Sequence, residues 1–503
     1  MKNLVQLCTY ADRLGCGTFA DLTQLLTGKL QGVFGGVHIL PFYYPIDGAD
    51  AGFDPIDHTK VDERLGDWTD VAALAQSHEL MVDVIVNHMS SRSAEFIDYK
   101  AHGDASSYAS LFLTFDKVFS RGATESDLVN LYRPRPGLPF SKIRFDDGKE
   151  RLCWTTFTSD QIDIDVFSDA GQDYLGRILD RLAAANVKMI RLDAAGYAVK
   201  KAGSRCFMTE ETFAFIEAFA QKAGARGMEV LVEIHAHFLT QVAIAKKADW
   251  VYDFALPPLV LHTLIAGDSQ PLQNWLEISP RNAITVLDTH DGIGIIDIAA
   301  DKQVGAGLLS DEQVDALVED IHANSEHRSR KATGAAASNV DLYQINCTFF
   351  EALGSNENKY LLARLIQFFA PGIPQVYYVG LFAGENDMAL LERTAVGRDI
   401  NRHYYSEADI SAGLETTVVK HLLALIRFRN LHPAFQTGRF ECIGTNAQLL
   451  SLAWRASSSH LILEINLQSY SFHLLAESEG EIQTLDQWRD FDSWVFAHTE
   501  TQP

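Results

Sequence analysis

Short apolar runs alternate with stretches of helical spacing over most of the chain. The runs predict strands at residues 4–9, 36–40, 81–86, 187–192, 229–233, 250–254, 283–287 and 373–378. Run 81–86 is apolar almost throughout, as expected of a strand buried on both faces. Between the runs, apolar residues recur at helical intervals. Phe19, Leu22, Leu25 and Leu26 share one side of a helix predicted over 19–26. Further helices are predicted over 68–77, 171–185, 211–223, 239–247, 360–369 and 417–428. Alternating strands and helices point to a parallel sheet or barrel.

The alternation lapses twice. Residues 87–167 are rich in Ser, Gly, Pro and aromatics and too long for a loop, so they read as an inserted domain. A second insertion is placed at 292–353, where Ser310-Asp311-Glu312-Gln313 has capping-box spacing and should open a helix. The barrel would then comprise residues 1–86, 168–291 and 354–432. After 432 the runs 449–454, 461–467 and 472–475 read as short strands between polar turns, a small antiparallel domain over 433–503. The fold class is α/β: a (β/α)8 barrel with two inserted subdomains and a C-terminal antiparallel β domain.

Composition narrows the function by exclusion. The 503 residues carry 66 acidic against 42 basic side chains, a net charge of −24. That excess argues against a nucleic-acid partner, which needs a basic footprint. The sequence shows neither a signal-peptide core nor an apolar run long enough to span a bilayer, so no membrane role is expected. Six scattered cysteines without a Cys-x-x-Cys pair suggest neither a disulfide framework nor zinc, and a reducing, cytoplasmic setting.

The candidate chemistry lies where the strands end. Arg191 and Asp193 stand two apart on one strand and so share a face. Related ends occur at Asp83-Val84-Ile85-Val86-Asn87-His88, at Val230-Leu231-Val232-Glu233-Ile234-His235 and at Val286-Leu287-Asp288-Thr289-His290-Asp291. Any single acid could cap the following helix, but four such ends would gather around one barrel mouth. Three carboxylates there suit glycosidic-bond chemistry. Asp193, held by Arg191, should stay ionised and act as nucleophile. Glu233 should donate a proton, its pKa raised by neighbouring carboxylates and desolvation. Asp291 should stabilise developing positive charge.

In order, these ends match Asp-x-x-x-Asn-His, Arg-x-Asp, Glu and His-Asp, and on them the chain is identified as a member of the α-amylase superfamily. Along nearly its whole length it resembles the sucrose phosphorylase family within it. That resemblance rests on residues 48–58 (Gly-Ala-Asp-Ala-Gly-Phe-Asp-Pro-Ile-Asp-His), 132–140 (Tyr-Arg-Pro-Arg-Pro-Gly-Leu-Pro-Phe), 285–294, 335–346, 375–380 and 397–405. It implies a retaining double displacement in which sucrose glucosylates Asp193 and phosphate removes the glucose as α-glucose 1-phosphate, releasing fructose. Glu233 would be the acid/base and Asp291 the transition-state stabiliser. Asp50, His88, Arg191, His290 and Arg398 would hold the glucosyl unit, with Phe53 and Tyr197 near its apolar face. Arg135, His235 and Tyr343 would meet phosphate, while Phe157, Gln161, Asp341, Leu342 and Gln344 would meet fructose.

Departures from the wider superfamily are Thr289 where Asn is usual, which agrees with the phosphorylase subgroup, and Met189 where many members have Gly. Asn87 alone makes a poor calcium site, so no metal and no cofactor is expected, phosphate being a co-substrate. The resemblance also implies a homodimer. Competing readings are a phosphorylase of sucrose 6′-phosphate or glucosylglycerate, a sucrose hydrolase or transglucosidase, and a non-catalytic barrel. The last would be expected to have lost one of the three carboxylates. Residues 336–344 carry no Lys or Arg, and Asp341 would repel a second phosphate, which favours plain sucrose.

Overall fold

The computed structural model describes residues 1–47, 51–134, 137–302, 304–333, 344–444 and 446–499. Eight parallel strands close into a barrel in sequential order. They are β1 (Gln6–Thr9), β2 (Gly36–Ile39), β3 (Glu79–Ile85), β4 (Met189–Asp193), β5 (Glu229–Val232), β6 (Trp250–Asp253), β7 (Ala283–Thr285) and β8 (Ile373–Tyr377). Closure comes from β8, whose Gln375 lies opposite Gln6 of β1. The ladders of β7 stop at Thr285 on both sides, two residues short of the sequence expectation, so Asp288, His290 and Asp291 all lie on the loop beyond it.

A helix follows every strand: Phe19–Thr27, Trp68–Ser77, Asp169–Ala184, Glu210–Gly224, Phe238–Ala245, Leu256–Ala266, Glu357–Phe369 and Thr417–Leu431. Several open on side-chain caps that satisfy first-turn N–H groups: Thr18, Asp67, Ser168, Thr209 and Asn356. The helix over Leu256–Ala266, and a second over Gln270–Ile278, went unpredicted. The first is buried from Leu256 through Leu264, so it lacks the polar face that helical periodicity needs. Both also carry proline near their starts, tolerated there because first-turn N–H groups need no intrahelical partner.

Two excursions rise beside the barrel mouth. After β3, strand His88–Ser90 pairs with Gln161–Asp163, and a hairpin joins Phe140–Arg144 to Glu150–Trp154. After β7, Ile293–Gly294 pairs with Gln344–Ile345, and a helix spans Asp311–Asn324. Ser310 caps that helix through the reciprocal Ser310/Gln313 box expected from the sequence.

The chain then forms a five-stranded antiparallel sheet: β9 (Arg439–Cys442), β10 (Leu449–Arg455), β11 (Ser459–Asn466), β12 (Ser471–Ser478) and β13 (Glu481–Leu485). Its strands are longer and more numerous than predicted. An unpredicted helix, Trp488–Thr499, follows them and packs Phe491 and Trp494 on Phe428 of the last barrel helix, with ring centroids 5.0 and 4.7 Å apart. No described helix is long and apolar enough to cross a membrane.

Inside the barrel the side chains are not all apolar. Met81, Met189, Leu231, Tyr252, Ile284 and Ile373 pack together. With them lie the buried polar residues Gln6, His38, Asp83, Arg191 and Gln375. His38 Nε2 is 2.9 Å from Asp83 Oδ2, and Gln375 donates to Gln6 Oε1 at 3.2 Å. These pairs satisfy groups that would otherwise be stranded without water.

At the opposite side of the fold, fully buried Arg429 joins the chain's start to the approach to β8. It donates to Phe368 O, Gly372 O, Asn3 O and Asn3 Oδ1 at 2.7–3.4 Å. Arg429→Leu should strand these oxygens and destabilise the fold by about 2–4 kcal/mol, since each unsatisfied buried group costs roughly 1–3 kcal/mol. Urea unfolding measures this. A loss under about 0.5 kcal/mol would mean that the oxygens find other donors.

Candidate active site

The barrel register builds the site. Arg191 of β4 sits directly opposite Asp83 of β3, and the two buried side chains form an ion pair, Arg191 Nη1 to Asp83 Oδ1. The same Nη1 donates to Asp193 Oδ1 at 3.1 Å, and Nη2 lies 3.6 Å from Glu233 Oε1. One guanidinium therefore faces three carboxylates. Asp193 ends its strand in a sharp turn, because Ala194 adopts a left-handed backbone (φ 54°) that L-residues other than Gly, Asn and Asp seldom take.

Charge in this cluster is unevenly shared. Burial pushes the Asp193 carboxyl well above the carboxylate range; Arg191 opposes this, while the Glu233 and Asp83 carboxylates add to it. Beside the expectation that Asp193, held by Arg191, stays ionised, burial acts in the opposite direction. The guanidinium is divided among three acids, and desolvation outweighs its share. Asp291 behaves oppositely. Burial would raise it, but Arg398 first, with His235 and Arg402, overcomes that and holds it well below the usual range. Arg398 Nη1 is 2.8 Å from Asp291 Oδ1. Burial also depresses His290, leaving a neutral imidazole that stacks on Phe53 at 5.0 Å and 7°.

The loops that deliver these groups are pinned by buried cations. Arg402 Nε donates to His290 O at 2.9 Å, and Asn401 donates to Thr289 O at 3.0 Å, so the Gly397–Asn401 segment fixes the loop carrying Asp291. Arg364 holds Asp288 at 2.7 Å beneath Gly380. A Cβ at Gly380 would stand 1.8 Å from Asp288 Oδ2, so only glycine fits there. Across the mouth, Lys200 Nζ lies 2.8 Å from Asn87 Oδ1 and 2.8 Å from Asp163 Oδ2, and it also reaches Tyr197 O. Asp163 in turn accepts from Thr156 N and Oγ1. An ammonium thus stands between the Asn and Asp that would otherwise invite a cation.

The structure brings most of the sequence-predicted residues together. His88 Nε2 lies 3.1 Å from Phe53 O, and its ring meets the edge of Phe157 at 5.4 Å. Phe157 in turn meets Tyr197 at 5.2 Å, and Tyr197 packs on Phe207 at 4.7 Å. Gln344 Nε2 is 3.2 Å from His235 Nε2. Gln161 is buried beside the His88 strand, where its Oε1 accepts from Thr158. Asp50, Arg135, Asp341, Leu342 and Tyr343 lie outside the described residues. Sequence reading missed Lys200, Asp163 and Asp297. Their partners are remote in sequence, and none sits in a recognisable motif. One donor atom each from Glu233, His235 and Asp291 lies within 4.8 Å of the others, spacing that could suit a metal ion. Arg191 and Arg398 already face these carboxylates.

The chain is similar to known proteins along most of its length. Residues 22–246 match the family model "Alpha amylase, catalytic domain". The chain is 60% identical to a sucrose phosphorylase of Agrobacterium vitis over 93% of this chain and 95% of that one. It is 56% identical to a sucrose phosphorylase of Bifidobacterium adolescentis over 92% of each. A crystal structure of sucrose 6F-phosphate phosphorylase from Thermoanaerobacter thermosaccharolyticum superposes with a TM-score of 0.88 at 36% identity, covering 97% of this chain and 98% of that one.

Removing the Lys200 ammonium should be costly. Lys200→Met leaves Asp163 buried without its cation, and breaking such a pair typically costs about 3–5 kcal/mol. The expected outcome is a lower urea midpoint and faster proteolytic cleavage within 87–167. A parental midpoint would show that Asp163 does not depend on this ammonium.

Proposed function

The chain belongs to the sucrose phosphorylase family, and from that premise we propose that it catalyses the reversible phosphorolysis of sucrose to α-glucose 1-phosphate and fructose. What supports the reading most directly is the pair Asp193 and Glu233 on one guanidinium at the barrel mouth, in a chain 56–60% identical to two sucrose phosphorylases.

The chemistry follows from two carboxyl groups and one proton. Asp193 attacks the anomeric carbon while Glu233 protonates the departing fructose oxygen, leaving a glucosyl ester on Asp193. Asp291, kept ionised beside Arg398, faces the positive charge that develops on the sugar ring. Fructose then leaves and hydrogen phosphate enters. Glu233 removes its proton, a phosphate oxygen attacks the ester from the original face, and α-glucose 1-phosphate departs with Asp193 freed. Two inversions restore the starting configuration.

In the empty site the tendency to hold a proton is strong at Asp193, yet the nucleophile must react ionised. The reading places that proton on Glu233 once sucrose is bound. Arg191 spans both carboxyls, so the transfer leaves the charge of the cluster unchanged.

The substrate assignments stay as the resemblance gives them. Asp50, Phe53, His88, Arg191, Tyr197, His290 and Arg398 hold the glucosyl unit. Arg135, His235 and Tyr343 meet phosphate, and Phe157, Gln161, Asp341, Leu342 and Gln344 meet fructose. No step in this scheme calls for a metal or organic cofactor. A cytoplasmic setting and a homodimer complete the reading. The first rests on six unpaired cysteines and the second on family resemblance.

Two measurements test it. With sucrose, glucose 1-phosphate should form only when phosphate is present and appear first as the α-anomer by proton NMR; a β-anomer as first product would exclude a double displacement. Glu233→Gln should slow turnover of sucrose by about 10²–10⁴-fold, the usual contribution of a general acid. The same variant should still accept a glucosyl group from α-glucosyl fluoride, whose leaving group needs no proton. Equal losses on both donors would remove Glu233 from the role.

A further inference from the structure

Beyond the catalytic carboxylates, one buried acid has no part in the scheme so far. Asp297 is fully buried and accepts three hydrogen bonds. Oδ2 lies 3.0 Å from His235 Nδ1, while Oδ1 accepts from Ala236 N at 3.1 Å and from Gln241 Nε2 at 2.7 Å. The imidazole it grips is fixed on its other sides too. Phe254 stacks against it at 3.8 Å and 14°, and Gln344 stands 3.2 Å from Nε2. The backbone above leaves no slack, since a Cβ on Gly294 would come within 2.3 Å of Asp297 Oδ2 and 3.3 Å of His235 Nδ1.

This geometry points to Asp297 as a positioning residue for the acceptor step: its carboxylate keeps His235 doubly protonated with Nε2–H turned toward the acceptor site, and so makes His235 a fixed cation for the incoming phosphate. The inference rests on the phosphorylase reading. An anion must enter beside Glu233 and Asp291, and without a local cation their repulsion would oppose it. An Nδ1–H donated to a buried carboxylate both orients the ring and favours the imidazolium. The strongest charged neighbours of His235 are acidic, namely Asp297, Glu233 at 3.8 Å from its own loop, and Asp291 from the loop after β7, while the Arg191 and Arg398 guanidiniums face the same Glu233 and Asp291 carboxylates. Burial opposes the charge, and these acids outweigh it, raising His235 above the ordinary histidine value. With Nε2 protonated, the Gln344 amide would present its oxygen to that N–H, an orientation assigned from the network.

The sign follows. A raised pKa extends the imidazolium to higher pH, and it is lost only as pH rises through the raised value. Without Asp297 that loss should come at lower pH. Asp297→Asn should therefore raise the KM for phosphate about tenfold or more at pH 8, in line with the loss of one charge-assisted contact. The increase over the parent should shrink as pH falls from 8 to 6, because a higher proton concentration offsets part of the support lost with Asp297. Comparing both enzymes at the same pH cancels the titration of phosphate itself. The KM for sucrose and the rate of glucosyl transfer to water should change less than threefold, which a general loosening of the site would not spare. Asp297→Glu should recover part of the phosphate affinity.

A phosphate KM that rises equally at pH 6 and pH 8, or in step with the sucrose KM, would overturn the proposal. If Asp297→Asn fails to fold, the parent enzyme decides. In nitrogen-15 NMR, the His235 signals, identified by their disappearance in His235→Gln, should show both ring nitrogens protonated at pH 7.5, and a neutral ring would overturn it. Failure of the phosphorylase reading would show separately, as a parent enzyme whose product does not depend on phosphate.

Discussion

The site depends on one buried guanidinium. Arg191 is 2% exposed and faces Asp83, Asp193 and Glu233 at once. Three negative groups could not share that space with no cation among them, and a cation could not be buried there without them. The parallel register sets the arrangement, since adjacent strands place Asp83 beside Arg191 and the same strand carries Asp193 two residues on. His38 anchors Asp83 from behind. The charge pattern thus begins inside the barrel and emerges at its mouth, where Asp193 and Glu233 share the last of it.

The same logic repeats around the rim. A chain with net charge −24 sets cations, most of them buried, against its own loops. Arg398 and Arg402 fix the segment carrying His290 and Asp291, Arg364 fixes Asp288, and Lys200 fixes Asn87 and Asp163. Each cation joins a loop end to an acid or carbonyl supplied by a distant part of the chain. Their effect is to hold short polar segments against thermal motion, so that groups acting within an ångström or so stay in place.

Much of this was legible beforehand. Strand starts and ends fell within about two residues of the hydropathy runs, because strands of a parallel barrel are buried on both faces and read as unbroken apolar stretches. The carboxylates of Asp193, Glu233 and Asp291 stood out since each closes such a run or follows it closely. What stayed hidden has a common cause. Pairings such as Lys200 with Asp163, Asp297 with His235 and Arg364 with Asp288 depend on which loops meet in space, and sequence spacing carries no trace of that. The helix Leu256–Ala266 was hidden for another reason: it is buried all round and has no amphipathic signature. The upward push of burial on Asp193 was not legible because one arginine stands out in the sequence, whereas the fold divides it among three acids.

The central claim is that Asp193, steadied by Arg191, carries the glucosyl group between two acceptors. Its most direct test is the mass of the enzyme quenched in acid during reaction with a glucosyl donor in the absence of phosphate. The account predicts one anhydroglucose unit of added mass, mapped by peptide fragmentation to Asp193 and lost when phosphate is supplied before the quench. A label on another residue, or turnover with no labelled enzyme at any quench time, would contradict it.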